Sequence, residues 1–337
     1  MADRKAPAVE ERRFGPTLTA PPVVSVLMIT YNHERFIRQA IEGVFMQQVD
    51  FPIELVIGED RSTDATLAAI EQICASAPIS VRVLTSENNV GMHANFRRTL
   101  MKCCGKFVAL IEGDDYWTAP NKLQLQRGIL ESDDQIALCF HRAIVRYEST
   151  DQYQFGAPNS VIDGPEAGYV PNELILKMNF LLPTGSAMAR KDALCPLPTW
   201  IDGLCFGDLA YWAIAAGKGK TFCLDDVCSV YRFGSGVSIH FDDDIIRDHQ
   251  RQTLQFAKRD ALPRFAPLFH MALVERLQWD AHLLELSGRL FECRQLVKRL
   301  LLLRTLGGEV SPRPFVWLLR LYFPAAYRTM RAMLSLK

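Results

Sequence analysis

The sequence predicts an α/β fold: a mostly parallel sheet flanked by helices, followed by a helical C-terminal region. Three observations carry that prediction. Short apolar runs, VVSVLMIT at 23–30, ELVIG at 54–58, 81–84 and FVALI at 107–111, alternate with helix-period segments across short connections, as in a parallel sheet covered on both faces. These runs give way to polar residues, as strands do when they deliver side chains to one edge of a sheet. From residue 245 onward the sequence reads as helical almost throughout.

Taken in order, residues 1–22 are rich in Pro, Ala and charge and read as a flexible tail. The first strand is followed by Tyr31, Asn32 and His33, and a helix is expected near Glu34 because Phe36, Ile37, Ala40, Ile41, Val44 and Phe45 recur at helical spacing. The second strand is broken by residues 59–64, where Ser62 or Thr63 is placed to cap a helix with the apolar stripe Leu67, Ile70 and Ile73. A loop at 86–91 leads to a helix around 94–101, and the strand at 107–111 is followed by a helix over 122–130 and one or two strands over 136–145. Beyond this the alternation fails. Residues 153–170 read as loop, 184–190 as a strand, 208–216 as a helix and 224–231 as extended chain, with a helix break later at Gly307 and Gly308. The expected organisation is a tail at 1–22, one large domain at 23–240 in two halves, 23–135 and 136–240, and a helical region at 241–337.

Composition bounds the function. With 49% hydrophobic and 23% charged residues the 337-residue chain can build a core, and 38 basic residues balance 38 acidic ones, so nothing in the charge asks for nucleic acid. Nine scattered cysteines, an odd number, argue against a disulfide framework and for a reducing cytoplasm. No signal-peptide core and no run of ~18–20 apolar residues is present, which disfavours a membrane span.

Several catalytic signatures are missing. No G-x-G-x-x-G follows the first strand, the Gly219, Lys220, Thr221 string has Ile214 where a phosphate loop needs its first glycine, the seven histidines form no H-x-x-x-H pair, and G-x-S-x-G is absent. What remains is a set of polar residues after successive strands: Thr30, Tyr31 and Asn32; Glu59 and Asp60; Asn89, Gly91 and Asn95; Glu112, Asp114 and Asp115. Strand-end residues converge on one sheet edge, where these groups could hold a base, a ribose and a metal-bound diphosphate. The acidic run Glu112, Gly113, Asp114, Asp115 brings three carboxylates together, and such mutual repulsion calls for a hard divalent cation, Mg²⁺ or Mn²⁺, with Asp114 and Asp115 as its candidate ligands.

The segments VSVLMITYN, ELVIGEDRSTDAT, NNVGMHANF and FVALIEGDDYWTAPNKLQLQ resemble the inverting family 2 glycosyltransferases of bacterial cell-surface polysaccharide synthesis. The resemblance covers roughly residues 23–238 and implies a GT-A type, Rossmann-like fold with a nucleotide-sugar half and an acceptor half. It assigns Thr30, Tyr31 and Asp60, with Glu59 nearby, to the nucleotide base. It makes Asp114, in a family D-x-D-D signature that begins here with Glu112, the leading metal ligand. Downstream, PTGSAMARKDAL, Gly207 with Asp208, and LDDVCSVYRFGSGVS resemble the acceptor half, where Asp208 would be the general base. The histidine that family members often carry after the Tyr-Arg pair is replaced here by Phe233 and Gly234, leaving His240 as a substitute. The implied partners are a nucleotide sugar donor and a saccharide or lipid-linked acceptor. A sugar-phosphate nucleotidyltransferase and a non-catalytic nucleotide-sugar-binding protein are the rival readings.

Residues 289–337 carry ten basic side chains against Glu292 and Glu309, interleaved with Phe315, Trp317, Leu318, Leu319, Leu321, Tyr322 and Phe323. That pattern suits either an amphipathic segment on an anionic membrane surface, making the protein peripheral at the inner face of the cytoplasmic membrane, or a helical appendage that packs its apolar face.

Overall fold

A computed structural model describes residues 9–155, 167–177, 182–235, 243–306 and 313–322. The chain divides into two compact units, Met1–Asp242 and Asp243–Lys337.

The first unit is built on an eleven-stranded sheet. Its strands are β1 (Val9–Phe14), β2 (Val24–Thr30), β3 (Ile53–Glu59), β4 (Ser80–Ser86), β5 (Phe107–Glu112), β6 (Tyr116–Trp117), β7 (Ile136–Tyr147), β8 (Gln152–Phe155), β9 (Gly168–Val170), β10 (Met188–Arg190) and β11 (Lys220–Phe233). The helices are α1 (Ile37–Phe45), α2 (Thr66–Cys74), α3 (Met92–Lys102), α4 (Lys122–Ser132), α5 (Asn172–Lys177), α6 (Lys191–Leu194) and α7 (Asp208–Ala216). Strand order is β1-β4-β3-β2-β5-β10-β7-β11-β6, with β8 on β7 and β9 on β11. The central block β4-β3-β2-β5 is parallel.

Successive side chains of a strand face opposite sides of the sheet, so a strand buried on both faces must be apolar at nearly every position. β2 and β3 meet that demand. Leu27, Val56, Val108 and Leu110 face one layer with Phe96 and Leu100 of α3 and Tyr211 and Trp212 of α7. Val26, Met28, Leu55, Ile57, Ala109 and Ile111 face the other, with Ile37 and Ile41 of α1 and Ile70 of α2. The strand order turns back at β2, which has β3 on one side and β5 on the other, and the C-terminal edge beside such a reversal is where open α/β sheets form a crevice.

Several expectations need correction. Part of the supposed tail is ordered: Val9–Phe14 pairs antiparallel with β4 from Val9↔Ser86 to Phe14↔Val81. Its VEERRF sequence lacks the apolar alternation that marks a half-buried strand, because an edge strand is held mainly by its neighbour's backbone. Residues 153–170 contain part of β8 and all of β9, both paired to long strands. Only the last part of 184–190 is a strand, after a 3₁₀ turn at Thr184–Ser186. The cap of α2 is neither Ser62 nor Thr63; Asp64 Oδ1 accepts the Thr66 backbone N–H at 2.9 Å and the Thr66 hydroxyl at 2.5 Å.

The second unit is helical: α8 (Asp243–Asp260), α9 (Ala266–Leu286), α10 (Leu290–Leu306) and α11 (Arg313–Tyr322). Asp280 is fully buried and paired with Arg251 at 2.6 Å and Arg276 at 3.0 Å, a triad that joins α8 to α9. Among the described residues no helix is long and apolar enough to cross a membrane. The expected break at Gly307 and Gly308 lies outside the described residues, as does His240.

Candidate active site

The crevice is made by the ends of β2, β3, β4 and β5. Backbone bonds tie these ends together, with Asp60 N–H donating to Thr30 O at 3.1 Å and Gly113 N–H to Ile29 O at 3.0 Å. At the β2 end Thr30 is buried, Tyr31 is exposed and Asn32 adopts a left-handed φ of 56°. That turn aims Asn32 Oδ1 at the facing loop, where it accepts from Thr63 N–H at 2.8 Å, while Asn32 N–H donates to Ser62 Oγ at 3.0 Å.

The acids of β3 are occupied by the loops around them. Glu59 is fully buried and accepts from Ser62 N–H at 2.6 Å, Arg61 N–H at 3.2 Å and the Thr85 hydroxyl at 3.0 Å. Asp60 accepts the Val90 and Gly91 amides at 2.8 and 2.9 Å, and Arg98 lies 3.8 Å away. Burial nonetheless pushes the Asp60 carboxyl above its ordinary value. Asn89 donates to Asp60 O at 2.9 Å, and Asn95 donates to Gly58 O at 2.7 Å while accepting from Arg98 Nε at 2.9 Å. Thus Glu59 and Asn95 brace the loops from beneath, whereas Tyr31 faces solvent at the rim.

The acidic loop is the electrostatic centre. Glu112 and Asp115 are both pushed well above the carboxylate range, first by burial and then by neighbouring acids: Asp208, Asp114 and Asp115 for Glu112, and Asp114 for Asp115. Asp208, the first residue of α7, is brought to the same cluster and pushed up to about 6 by burial, with Asp114 adding to the rise. Gly207, not Asp208, occupies the cap position of α7, and hydrogen bonds to the Asp208 carboxylate from its own backbone N–H and from Thr184 oppose the rise without cancelling it.

β11 supplies the counter-charge that sequence reasoning left without a role. Arg232 is 3% exposed and lies between the rings of Phe36 and Tyr116, 4.8 and 4.6 Å from their centroids. Its guanidinium donates to Asp114 O and Gln39 Oε1 and pairs with Glu148 at 3.2 Å, and its N–H donates to Asp115 Oδ1 at 2.8 Å. Ser235 Oγ donates to Asp114 Oδ2 at 2.8 Å, and Asp115 Oδ2 is buried without a hydrogen-bond partner among the described residues.

A second layer fixes the 3₁₀ turn beside Asp115. Trp117 Nε1 donates to Gly185 O at 2.7 Å, and Gln126 Nε2 donates to Ser186 O at 2.8 Å. Lys122, fully buried, caps the Trp117 ring at 3.9 Å and donates to Gln126 Oε1 at 2.7 Å. The i, i+4 spacing of Lys122 and Gln126 on α4 was visible in the sequence, but their target was not.

Among the described residues no three His, Cys, Asp or Glu side chains form a ready-made metal cage. Ions that serve nucleotide phosphates are commonly held by one or two carboxylates plus the phosphates themselves. Asp114 and Asp115 fit that arrangement, because the unpartnered Asp115 oxygen and the mutual repulsion of the acids are both relieved by a cation.

Residues 25–190 match the family model described as Glycosyl transferase family 2. This segment belongs to that family. Rv1520, an uncharacterized protein of Mycobacterium tuberculosis, is 42% identical over 125 residues, 37% of this chain and 36% of its own length. The Escherichia coli enzyme WfgD, a UDP-Glc:alpha-D-GlcNAc-diphosphoundecaprenol beta-1,3-glucosyltransferase, is 34% identical over 105 residues, covering 31% of this chain and 39% of its own. The match thus spans well under half the length of these curated relatives. Among solved structures, TarS 1-349 of S. aureus in complex with UDP-GlcNAc aligns with a TM-score of 0.60 at 20% identity, over 90% of this chain and 87% of that one. The mannosyltransferase PcManGT of Pyrobaculum calidifontis, in complex with GDP-Man and Mn²⁺, aligns with a TM-score of 0.56 at 18% identity, over 98% and 87%. The sheet and its helices have the GT-A fold, so the family 2 glycosyltransferase domain and its fold were both legible in the sequence.

Proposed function

We propose that this protein transfers a sugar from a nucleotide-diphosphate sugar to a saccharide or lipid-linked acceptor with inversion, with Asp208 as general base and a divalent ion held by Asp114 and Asp115. One observation carries this reading: a carboxylate tuned to about 6 stands in the same cluster as the acidic loop at the end of β5. A sugar hydroxyl is a weak nucleophile at neutral pH, and a carboxylate placed against it removes its proton as attack on the anomeric carbon proceeds. Asp208 takes that proton on its carboxylate. A base and a leaving group on opposite faces of the sugar give inversion. A bound Mg²⁺ or Mn²⁺ would neutralise charge gathering on the departing nucleoside diphosphate.

The other residues have positioning tasks in this scheme. Arg232 holds Asp114 and Asp115 through the Asp114 carbonyl and the Asp115 carboxylate. Thr30, Asp60 and, at the exposed rim, Tyr31 would line the base, with Asn32, Glu59, Asn89, Gly91 and Asn95 shaping the loops around it, and Glu112 would face the ribose or the ion. Solved neighbours of the same fold hold UDP-GlcNAc or GDP-Man, which supports a nucleotide sugar as donor. The relative WfgD, which acts on a diphosphoundecaprenol-linked sugar, supports a lipid-linked acceptor in polysaccharide synthesis and, with it, a cytoplasmic protein in peripheral contact with the membrane.

The test is donor turnover across a panel of nucleotide sugars with and without Mn²⁺. We expect metal-dependent turnover in the wild type and none in Asp114→Ala. Metal-independent activity, or near-normal rates in Asp114→Ala, would sink the scheme.

A further inference from the structure

We propose that His33 joins Asp114 and Asp115 as a protein ligand for the divalent ion of this site, binding it through Nε2; the inference rests on the metal dependence proposed above. Nothing in the family resemblance assigns this residue a role, and four features of the structure do. The backbone around it is fixed, with His33 N–H donating to Thr66 Oγ1 at 2.8 Å and His33 O accepting from Phe36 and Ile37 N–H at 2.9 Å each. Its Nδ1 lies 3.2 Å from Thr30 Oγ1, which sets the plane of the ring. The other nitrogen, Nε2, then lies 3.9 Å from Asp114 Oδ2. Finally, β5 approaches this ring only because residue 113 is glycine: a Cβ there would stand 2.4 Å from Thr30 Oγ1 and 2.9 Å from His33 Nδ1.

The separation of 3.9 Å is too long for a hydrogen bond and leaves a gap between the two donors. Neighbouring donors on an octahedral ion with bonds of roughly 2.0 to 2.2 Å stand about 3 Å apart, so a shared cation would draw the two side chains together. Neither group is sealed from the crevice, because the His33 side chain keeps 18% and the Asp114 side chain 8% of its surface open. Ser235 Oγ occupies one direction at Asp114 Oδ2, at 2.8 Å, and fixes that carboxylate from the far strand. A histidine that binds a metal through one nitrogen donates its other N–H to an oxygen that fixes tautomer and orientation. Thr30 Oγ1 is that acceptor. The residue that family resemblance assigns to the base therefore acts, in this protein, on the metal through His33.

An imidazole beside a carboxylate also favours Mn²⁺ over Mg²⁺, because Mg²⁺ prefers an all-oxygen shell.

The experiment uses the full-length protein and Mn²⁺, alone and with UDP or GDP. Free ion is counted by continuous-wave EPR, and the bound ion is examined by pulsed EPR for coupling to an imidazole ¹⁴N. We expect that coupling in the wild type and its loss in His33→Gln, with Mn²⁺ affinity falling on the order of tenfold or more. Thr30→Val should weaken binding in the same direction, whereas Thr30→Ser, which keeps the oxygen, should match the wild type. Bound Mn²⁺ that requires Asp114 but shows no ¹⁴N coupling in the wild type overturns the His33 ligand and leaves the metal scheme standing. A wild type that binds no Mn²⁺, with or without nucleotide, defeats the metal scheme and the His33 ligand with it.

Discussion

A carboxylate that accepts a proton during a reaction works best when its own pKa lies near the working pH, and burial sets Asp208 at about 6. Turnover should therefore rise with pH through about 6 and level off above it, as measured by a pH profile of kcat. Asp208→Asn keeps the shape and removes the acceptor, so the rate should fall on the order of 10² to 10⁴ while donor binding is nearly unchanged. The same residue costs stability. A carboxyl whose folded pKa is raised from 3.8 to about 6 favours folding while protonated, and that contribution is lost as pH rises from about 4 through about 6. At pH 7 the Asn variant should therefore melt higher than the wild type, with each ~1 kcal/mol regained worth ~2–4 °C in a domain of this size. An inactive variant with an unchanged or lower melting point would show that Asp208 is not held at this cost. The acids were legible in the sequence because each sits where a strand ends or a helix begins. His33, Gly113 and Arg232 were not, because their significance lies in the approach of β2, β5 and β11, segments far apart in the chain.

Strands buried on both faces announce themselves as unbroken apolar runs, which is why β2 and β3 stood out and the polar edge strand β1 did not. The 3₁₀ turn at Thr184–Ser186 was hidden for a related reason: its conformation is imposed by Trp117 and Gln126, not by its own TGS sequence. Lys122 joins these two supports, and burial drags its ammonium down to about 7 from 10.5. A lysine whose folded pKa is lowered loses stability in its charged form, so the wild type gains stability as pH rises from about 7 towards 10.5. Lys122→Met keeps the stem and removes the titration. The melting-point difference, variant minus wild type, should therefore be most positive near pH 6 and shrink as pH rises to 9. A difference independent of pH would mean that Lys122 is not held in the depressed state. The variant should also lower turnover moderately, because Gln126 Oε1 loses its donor and the turn beside Asp115 loosens.

At the scale of the whole chain, the basic and aromatic C-terminal segment offered two readings, membrane contact or packing, and the helical unit divides the residues between them. Trp317 and Leu321 of α11 pack against Ala281, Leu284, Cys293 and Val297, and Trp317 Nε1 donates to Glu285 Oε2 at 2.8 Å while Arg294 donates to Leu321 O at 2.7 Å. Those side chains are committed to the unit itself. On α10, in contrast, Phe291 and Leu302 are 70% and 59% exposed. Lys298 and Arg299 beside them are exposed too, while also lying over the Tyr322 ring at 5.3 Å and donating to Gln255 Oε1, respectively. Phe291, Gln295, Lys298 and Leu302 recur at helical spacing, so apolar and basic groups share one face. Peripheral membrane contact, as proposed, would then rest on α10. The full-length protein should sediment with anionic vesicles at low salt and be partly released at high salt, since screening weakens attraction to anionic lipid. Replacing Phe291 and Leu302 together by Ser should abolish sedimentation without lowering the melting point. Truncation before Pro312 should act differently, destabilising the helical unit by uncovering Leu284 and Val297. A full-length protein that stays in the supernatant at low salt would leave packing as the sole role of this segment, and a truncated protein that detaches without losing stability would return the membrane contact to residues beyond α10.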